Sequence, residues 1–278
     1  MALNLDEVEG KVLRCVQSAV NYLNTNRSSD EAVGINPYGD ISKRFDVESD
    51  ELLHKCISEN LRDVVIVSEE SSIRSYGTGK FVAIVDPIDG STNYEADIPW
   101  SAVSVAIGLS KDGKTTLNDV VLALVAEVSR NRVYLYREGE VKILGANISR
   151  KSKPKHIVLG YFDSPQSFKA LDLYMSYYGD KRVLRVLGSA ALDIINVGLG
   201  NAEVFIDVRN KLRNVDIAAA LRIALAMGAA AVAIGYPTPL DIPIDRVVRV
   251  GCVVGFDHEY LMRALEVLRQ IGSLTETS

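Results

Sequence analysis

Short apolar runs and longer stretches with helical spacing alternate along this chain, and each change of period is marked by Gly, Pro or a polar cluster. Residues 5–23 and 47–59 carry apolar side chains at helical spacing. Between them, 24–42 is rich in Asn, Ser, Asp, Gly and Pro, which predicts a mobile loop arriving directly at Asp46. Residues 64–67 and 81–85 read as buried strands, the second stopped by Pro87, which cannot extend a ladder. Further strands are expected at 101–109 and 119–128 around the turn Lys111-Asp112-Gly113-Lys114, then a hairpin at 132–136 and 140–144 around Glu138-Gly139. The second half reads strand 156–160, helix 166–178, strand 182–187, helix 189–199 and strand 202–208. A helix over 217–227 follows, with Asp216 as N-cap and Gly228 as terminator. Such alternation predicts sheet covered by helices, an α/β chain. Arg150, Lys151, Lys153 and Lys155 cluster around Pro154 as a solvated junction. The expected organisation is an N-terminal part, 1–150, and a C-terminal part, 151–278, packed as one unit with its site between them.

With 278 residues, 47% hydrophobic and 24% charged, the composition is that of a soluble globular protein with a large core. A net charge of −5 argues against a nucleic-acid backbone as partner, and requires the site to bring its own cations to an anionic substrate. The most apolar stretch, 223–234, is too short to span a bilayer and reads as a helix running into a strand. No basic leader precedes it between Met1 and Gly10, so no membrane partner and a cytoplasmic location are expected. Cys15, Cys56 and Cys252 are odd in number and widely spaced, which predicts three buried apolar thiols in a reducing compartment.

The most informative run is Asp86-Pro87-Ile88-Asp89-Gly90-Ser91-Thr92-Asn93-Tyr94, at the end of an apolar strand. Gly90 permits a sharp turn, so Asp89 can swing back toward Asp86 while the amides of Gly90, Ser91 and Thr92 point outward. Paired carboxylates call for divalent cations, and free amides in a turn call for an anion such as phosphate. Read singly, Asp89 or Ser91 is an ordinary helix cap. As a string, the run resembles the signature of the inositol monophosphatase family, the magnesium-dependent phosphatases that include archaeal-type fructose-1,6-bisphosphatases.

Three further elements of that family's pattern occur in order. Ser68-Glu69-Glu70-Ser71 resembles its paired-glutamate element, and Asp46 in Ser42-Lys43-Arg44-Phe45-Asp46 matches its first aspartate, although a helix N-cap is an equal reading of Asp46. Val215-Asp216-Ile217-Ala218-Ala219-Ala220 matches the last, with Val215 where the family usually has Trp. Archaeal-type members often depart in the same way.

The resemblance implies an αβαβα sandwich, a homodimer, and two or three Mg²⁺ ions per site. It assigns metal ligation to Glu69, Asp86, the carbonyl of Ile88, Asp89 and Asp216, with Glu70 behind them. Asp46, Glu69 and Ser91 would orient and activate the attacking water, and Asp89, Gly90, Ser91 and Thr92 would face the phosphate. Ser91 stands where many relatives have Thr. The polyol would lie against Gly188, Ser189 and Ala190, small residues that serve helix packing equally well. Arg209, Lys211 and Arg213 read either as contacts to a second phosphate or as solvated charge. The implied substrates are fructose 1,6-bisphosphate and inositol 1-phosphate. A 3′-phosphoadenosine 5′-phosphate or NADP phosphatase, or a regulatory binding member, is the alternative. An aspartyl-phosphate mechanism fits poorly, because the acids are spaced Asp-x-x-Asp. Zinc hydrolysis also fits poorly, because His54, His156 and His258 fall outside every matched element.

Overall fold

The computed structural model describes residues 4–26, 31–111, 114–177, 179 and 181–270. Helix α1 (Leu5–Thr25) is capped by Asn4, whose side chain accepts the Glu7 amide. Val8, Val12, Cys15, Val16, Ala19 and Leu23 recur at three- and four-residue spacing, so one face of α1 is buried. Helix α2 (Arg44–Leu61) packs beside it and buries Phe45, Leu53 and Ile57. Where a loop was expected over 24–42, strands β1 (Ala32–Ile35) and β2 (Ile41–Lys43) pair antiparallel, while 27–30 lie outside the described residues. The turn is closed locally: the Asn36 carboxamide accepts the amides of Tyr38 and Asp40, each at 3.0 Å.

A seven-stranded sheet follows, built from β3 (Val64–Ser68), β4 (Arg74–Tyr76), β5 (Phe81–Asp89), β6 (Ala102–Leu109), β7 (Val120–Glu127), β8 (Val133–Arg137) and β9 (Glu140–Leu144), in the order β4-β3-β5-β6-β7-β8-β9. The pair β3/β5 is parallel and the other pairs are antiparallel. Contrary to the sequence reading, β5 does not stop at Pro87. Its register against β6 moves from Asp86↔Ser104 to Asp89↔Ala102, so Pro87 sits in a bulge, where a missing donor is tolerated. A short helix, α3 (Ser91–Glu95), leaves the end of β5. The turn expected at 111–114 lies partly outside the described residues.

The second sheet joins β10 (Ile157–Gly160), β11 (Val183–Arg185), β12 (Val204–Asp207), β13 (Ala230–Ala233) and β14 (Cys252–Gly255) in the order β11-β10-β12-β14-β13. Its helices are α4 (Pro165–Tyr177), α5 (Ala190–Gly198), α6 (Asn214–Ala226) and α7 (His258–Gln270). Strand alternation sorts the side chains into three cores. Phe81, Ala83 and Val85 of β5 face α1 and α2, whereas Val82 and Ile84 face α5 and α6. Phe205 of β12 faces that same α5/α6 layer from the other side, and its neighbours Val204 and Ile206 face α4 and α7. The result is a five-layer αβαβα sandwich, with α5 and α6 as the central layer shared by both sheets.

Two further readings are corrected. Cys15 and Cys56 form a disulfide between α1 and α2, with Cα atoms 5.5 Å apart, and Cys252 is the free cysteine among the described residues. Their distance along the chain concealed that two helices bring them together, and the argument from unpaired thiols to a reducing compartment loses its basis. Arg150 is not solvated junction charge: its guanidinium donates to the carbonyls of Gly198, Gly228 and Phe256 and lies 3.8 Å from the Phe256 ring centroid. It ties the ends of α5 and α6 to the end of β14.

Candidate metal and phosphate site

Parallel pairing brings the acids together. Ser68 of β3 is level with Val85 of β5, so the next residues, Glu69 just past the end of β3 and Asp86 at the bulge of β5, emerge side by side. Helix α6 lies on this sheet and delivers Asp216 from its first turn. One oxygen from each of Glu69, Asp86 and Asp216 falls within 4.8 Å of the others. Neither Asp46 nor Asp216 is the N-cap itself. Each is the third residue of its helix and reaches back to the amide of the cap, Lys43 at 2.8 Å and Arg213 at 2.7 Å.

The cluster is electrostatically expensive without cations. Burial pushes Glu69 and Asp86 well above the ordinary carboxylate range, and mutual repulsion adds to it, chiefly from Asp216 on Glu69 and from Glu69 on Asp86. Burial likewise raises Asp216 to about 7 and Asp46 to about 7. Asp89 rises to about 6 through burial, held down by Ser189 and by the amides of Ala191 and Ala190.

Asp89 does not join the three-acid cluster among the described residues. Its carboxylate accepts the Ser189 hydroxyl at 2.5 Å and the amides of Ala190 and Ala191 at 3.1 and 2.7 Å, at the start of α5. Ser189 and Ala190, expected against a polyol, are the residues whose hydroxyl and amide hold Asp89. Gly90 is required here: its φ is 86°, and an added Cβ would stand 2.9 Å from the Trp100 carbonyl oxygen. Asn93 locks the turn by donating to the carbonyls of Trp100 at 2.8 Å and Leu187 at 2.6 Å.

A cavity of about 220 Å³ opens above the acids. Of the residues singled out in the sequence, Glu69, Asp86, Ile88, Asp89, Gly90, Ser91, Thr92, Gly188, Arg209, Lys211 and Asp216 line it. Asp46, Glu70, Ser189, Ala190 and Arg213 are not among its described lining residues. Glu70 turns toward the hairpin, where it accepts the Ser42 hydroxyl at 2.5 Å. The three cations are all paired. Arg209 contacts Asp207 and Asp163, each at 2.8 Å, Lys211 contacts Asp163 at 3.0 Å, and Arg213 bridges Glu69 at 3.3 Å to Asp40 of the hairpin.

Tyr161 and Leu212 also line the cavity and escaped the sequence reading. Tyr161 is the first residue beyond β10, a strand-end position of the kind that borders such crevices, and Arg209 stacks 4.3 Å from its ring centroid. Asp193 was also missed. It is fully buried in α5 and accepts the Trp100 indole N–H at 3.0 Å.

Within this layered αβαβα architecture, Glu69, Asp86 and Asp216 form a three-carboxylate cluster beneath a small cavity, a set that could hold a hard cation. The donor set fits Mg²⁺, since it is all carboxylate oxygen, with surplus negative charge for a cation to neutralise. The chain belongs to the inositol monophosphatase family, which it matches over residues 5–271. An inositol-1-monophosphatase from Aeropyrum pernix is 32% identical over 224 residues, covering 78% of this chain and 81% of that protein. A fructose-1,6-bisphosphatase/inositol-1-monophosphatase from Methanothermobacter thermautotrophicus is 29% identical over 265 residues, covering 91% and 93%. The crystal structure of an inositol monophosphatase–fructose 1,6-bisphosphatase superposes with a TM-score of 0.74 at 26% identity, covering 95% of this chain and all of that one.

Proposed function

We propose that this protein is a Mg²⁺-dependent phosphatase of sugar or polyol phosphate monoesters, with fructose 1,6-bisphosphate and inositol 1-phosphate as its substrates. One observation carries the reading. The oxygens of Glu69, Asp86 and Asp216 converge within 4.8 Å beneath a cavity whose wall includes Arg209 and Lys211. Glu69, Asp86 and Asp216, with the Ile88 carbonyl and Asp89, would hold the ions. When bound, Mg²⁺ supplies charge neutralisation and Lewis acidity to an attacking water and a leaving alkoxide.

The chain's own groups do the rest. Gly90, Ser91 and Thr92 border the cavity at the start of α3 and receive the phosphate oxygens. Asp46, whose carboxylate accepts the Lys43 amide, and the Ser91 hydroxyl orient the attacking water. Gly188 lies on the cavity wall beside the sugar, where its φ of 83° and an added Cβ only 2.9 Å from the Asn93 carboxamide both call for glycine. Arg209 and Lys211 share Asp163, and Arg209 is also held by Asp207, so a distal phosphate would compete with these two carboxylates for the two cations. The parts 1–150 and 151–278 act as one catalytic unit, and a cytoplasmic homodimer belongs to the same reading. Phosphate release from fructose 1,6-bisphosphate, inositol 1-phosphate, 3′-phosphoadenosine 5′-phosphate and NADP, each with Mg²⁺ and with chelator, tests it. No Mg²⁺-dependent release from the first two would overturn it.

A further inference from the structure

We infer that Asp50 and His54 are positioning residues for the metal centre, acting through Ser68 and Ser71 on the turn that aims Glu69. The inference rests on the reading of Glu69 as a metal ligand. Asp46, Asp50 and His54 follow one another at four-residue spacing along α2, so one face of this helix is polar although it is buried, at 4%, 2% and 1% exposure. Its neighbours Phe45, Leu53 and Ile57 are apolar core, and burying two more polar side chains among them is unfavourable unless they are used.

Their contacts bracket the paired glutamates. The Ser68 hydroxyl donates to Asp50 Oδ1 at 2.5 Å, and Ser71 Oγ lies 3.0 Å from His54 Nε2. Asp50 Oδ1 and His54 Nε2 lie 3.6 Å apart on the same helix face, so two adjacent contacts from α2 reach both flanks of Glu69-Glu70. Burial holds His54 below its ordinary pKa, so the ring is neutral and Ser71 is its hydrogen-bond partner. The other ring nitrogen, Nδ1, has no partner among the described residues. A histidine kept with one nitrogen unpaired is a poor core residue, where an apolar side chain of similar size would avoid that loss. Its contact to Ser71 joins the Ser68–Asp50 bond in holding the glutamate turn against the helix bearing Asp46.

Hydrogen-bonding groups behind metal ligands typically set affinity by about 10–100-fold. Ser71→Ala removes the contact from the half-buried end without touching the helix core, and His54→Leu removes it from within. His54→Gln restores a side-chain amide at the same face. Calorimetric Mg²⁺ titration, with the melting temperature of the chelated protein as a fold control, reads the difference. Ser71→Ala and His54→Leu are expected to weaken Mg²⁺ about 10-fold. His54→Gln is expected to bind more tightly than His54→Leu, and chelated Ser71→Ala to melt as the wild type does. Wild-type Mg²⁺ affinity in Ser71→Ala overturns the inference even if His54→Leu fails to fold. A wild-type protein that binds no Mg²⁺ overturns the metal reading beneath it, and the two failures are thereby distinguished.

Discussion

The acid cluster makes a signed prediction about stability against pH. In the metal-free protein, burial raises Asp46 and Asp216 from 3.8 to about 7 and Asp89 from 3.8 to about 6. A carboxyl whose folded pKa lies above its unfolded value binds its proton more tightly when folded. The native state is therefore unpenalised below pH about 4, loses stability as pH rises through about 4 to 7, and levels off above. One group shifted by about three pH units loses about 4 kcal/mol, at 1.36 kcal/mol per unit. Each of these shifts is chiefly the cost of burying that group's own charge, so about 4 kcal/mol is the order-of-magnitude scale for a single group. For a chain of this size that lowers the melting temperature by on the order of 10 °C between pH 4 and 8. Mg²⁺ must oppose it, and its ligands must be deprotonated to bind, so its stabilising effect grows over the same interval. At a hundredfold excess over its dissociation constant it returns about 2.7 kcal/mol. Calorimetric melts from pH 5 to 8.5, in chelator and in excess Mg²⁺ at fixed ionic strength, measure both curves. A chelated melting temperature that rises across this window, or a Mg²⁺ shift as large at pH 5 as at pH 8, would refute the reasoning.

Asp216→Asn and Asp89→Asn preserve shape while removing a charge, so phosphate release should fall at least about 100-fold with the melting temperature maintained or raised; wild-type turnover would mean the acids are not ligands. Breaking the Cys15–Cys56 link, which closes 41 positions of chain, should cost about 4 kcal/mol of unfolding free energy. Urea melts with and without reductant measure it, and coincident midpoints would count against it. Replacing Arg209 and Lys211 by Ala should raise KM for fructose 1,6-bisphosphate far more than for inositol 1-phosphate, a charge-assisted contact being worth about 1.5–3 kcal/mol. Equal changes for both substrates would leave these cations only their structural pairing with Asp163. Light scattering should give a dimer, and a mass near 30.4 kDa would exclude it.

Much of the site was legible in the sequence because its ligands lie at the ends of short apolar strands, where local pattern is strong. The runs before Glu69 and Asp86 announce strands by their β-branched content, and Gly90 announces the turn by the φ it must adopt. The family signature then implied the layered fold. What the chain could not declare locally were pairings between distant residues. Pro87 reads as a strand breaker until β6 is seen to accommodate it in a bulge. Cys15 and Cys56 read as separate thiols until α1 and α2 pack, and Asp89 reads as a free ligand until α5 presents its amides to it. His54 carries no signal in sequence at all, because its meaning depends on Ser71, which packing alone sets beside it. Backbone conformation and burial periodicity are short-range properties written residue by residue. The partners of a buried polar group are chosen by packing across the core, and for Asp50, His54, Asp89 and Arg213 only the tertiary structure decided them.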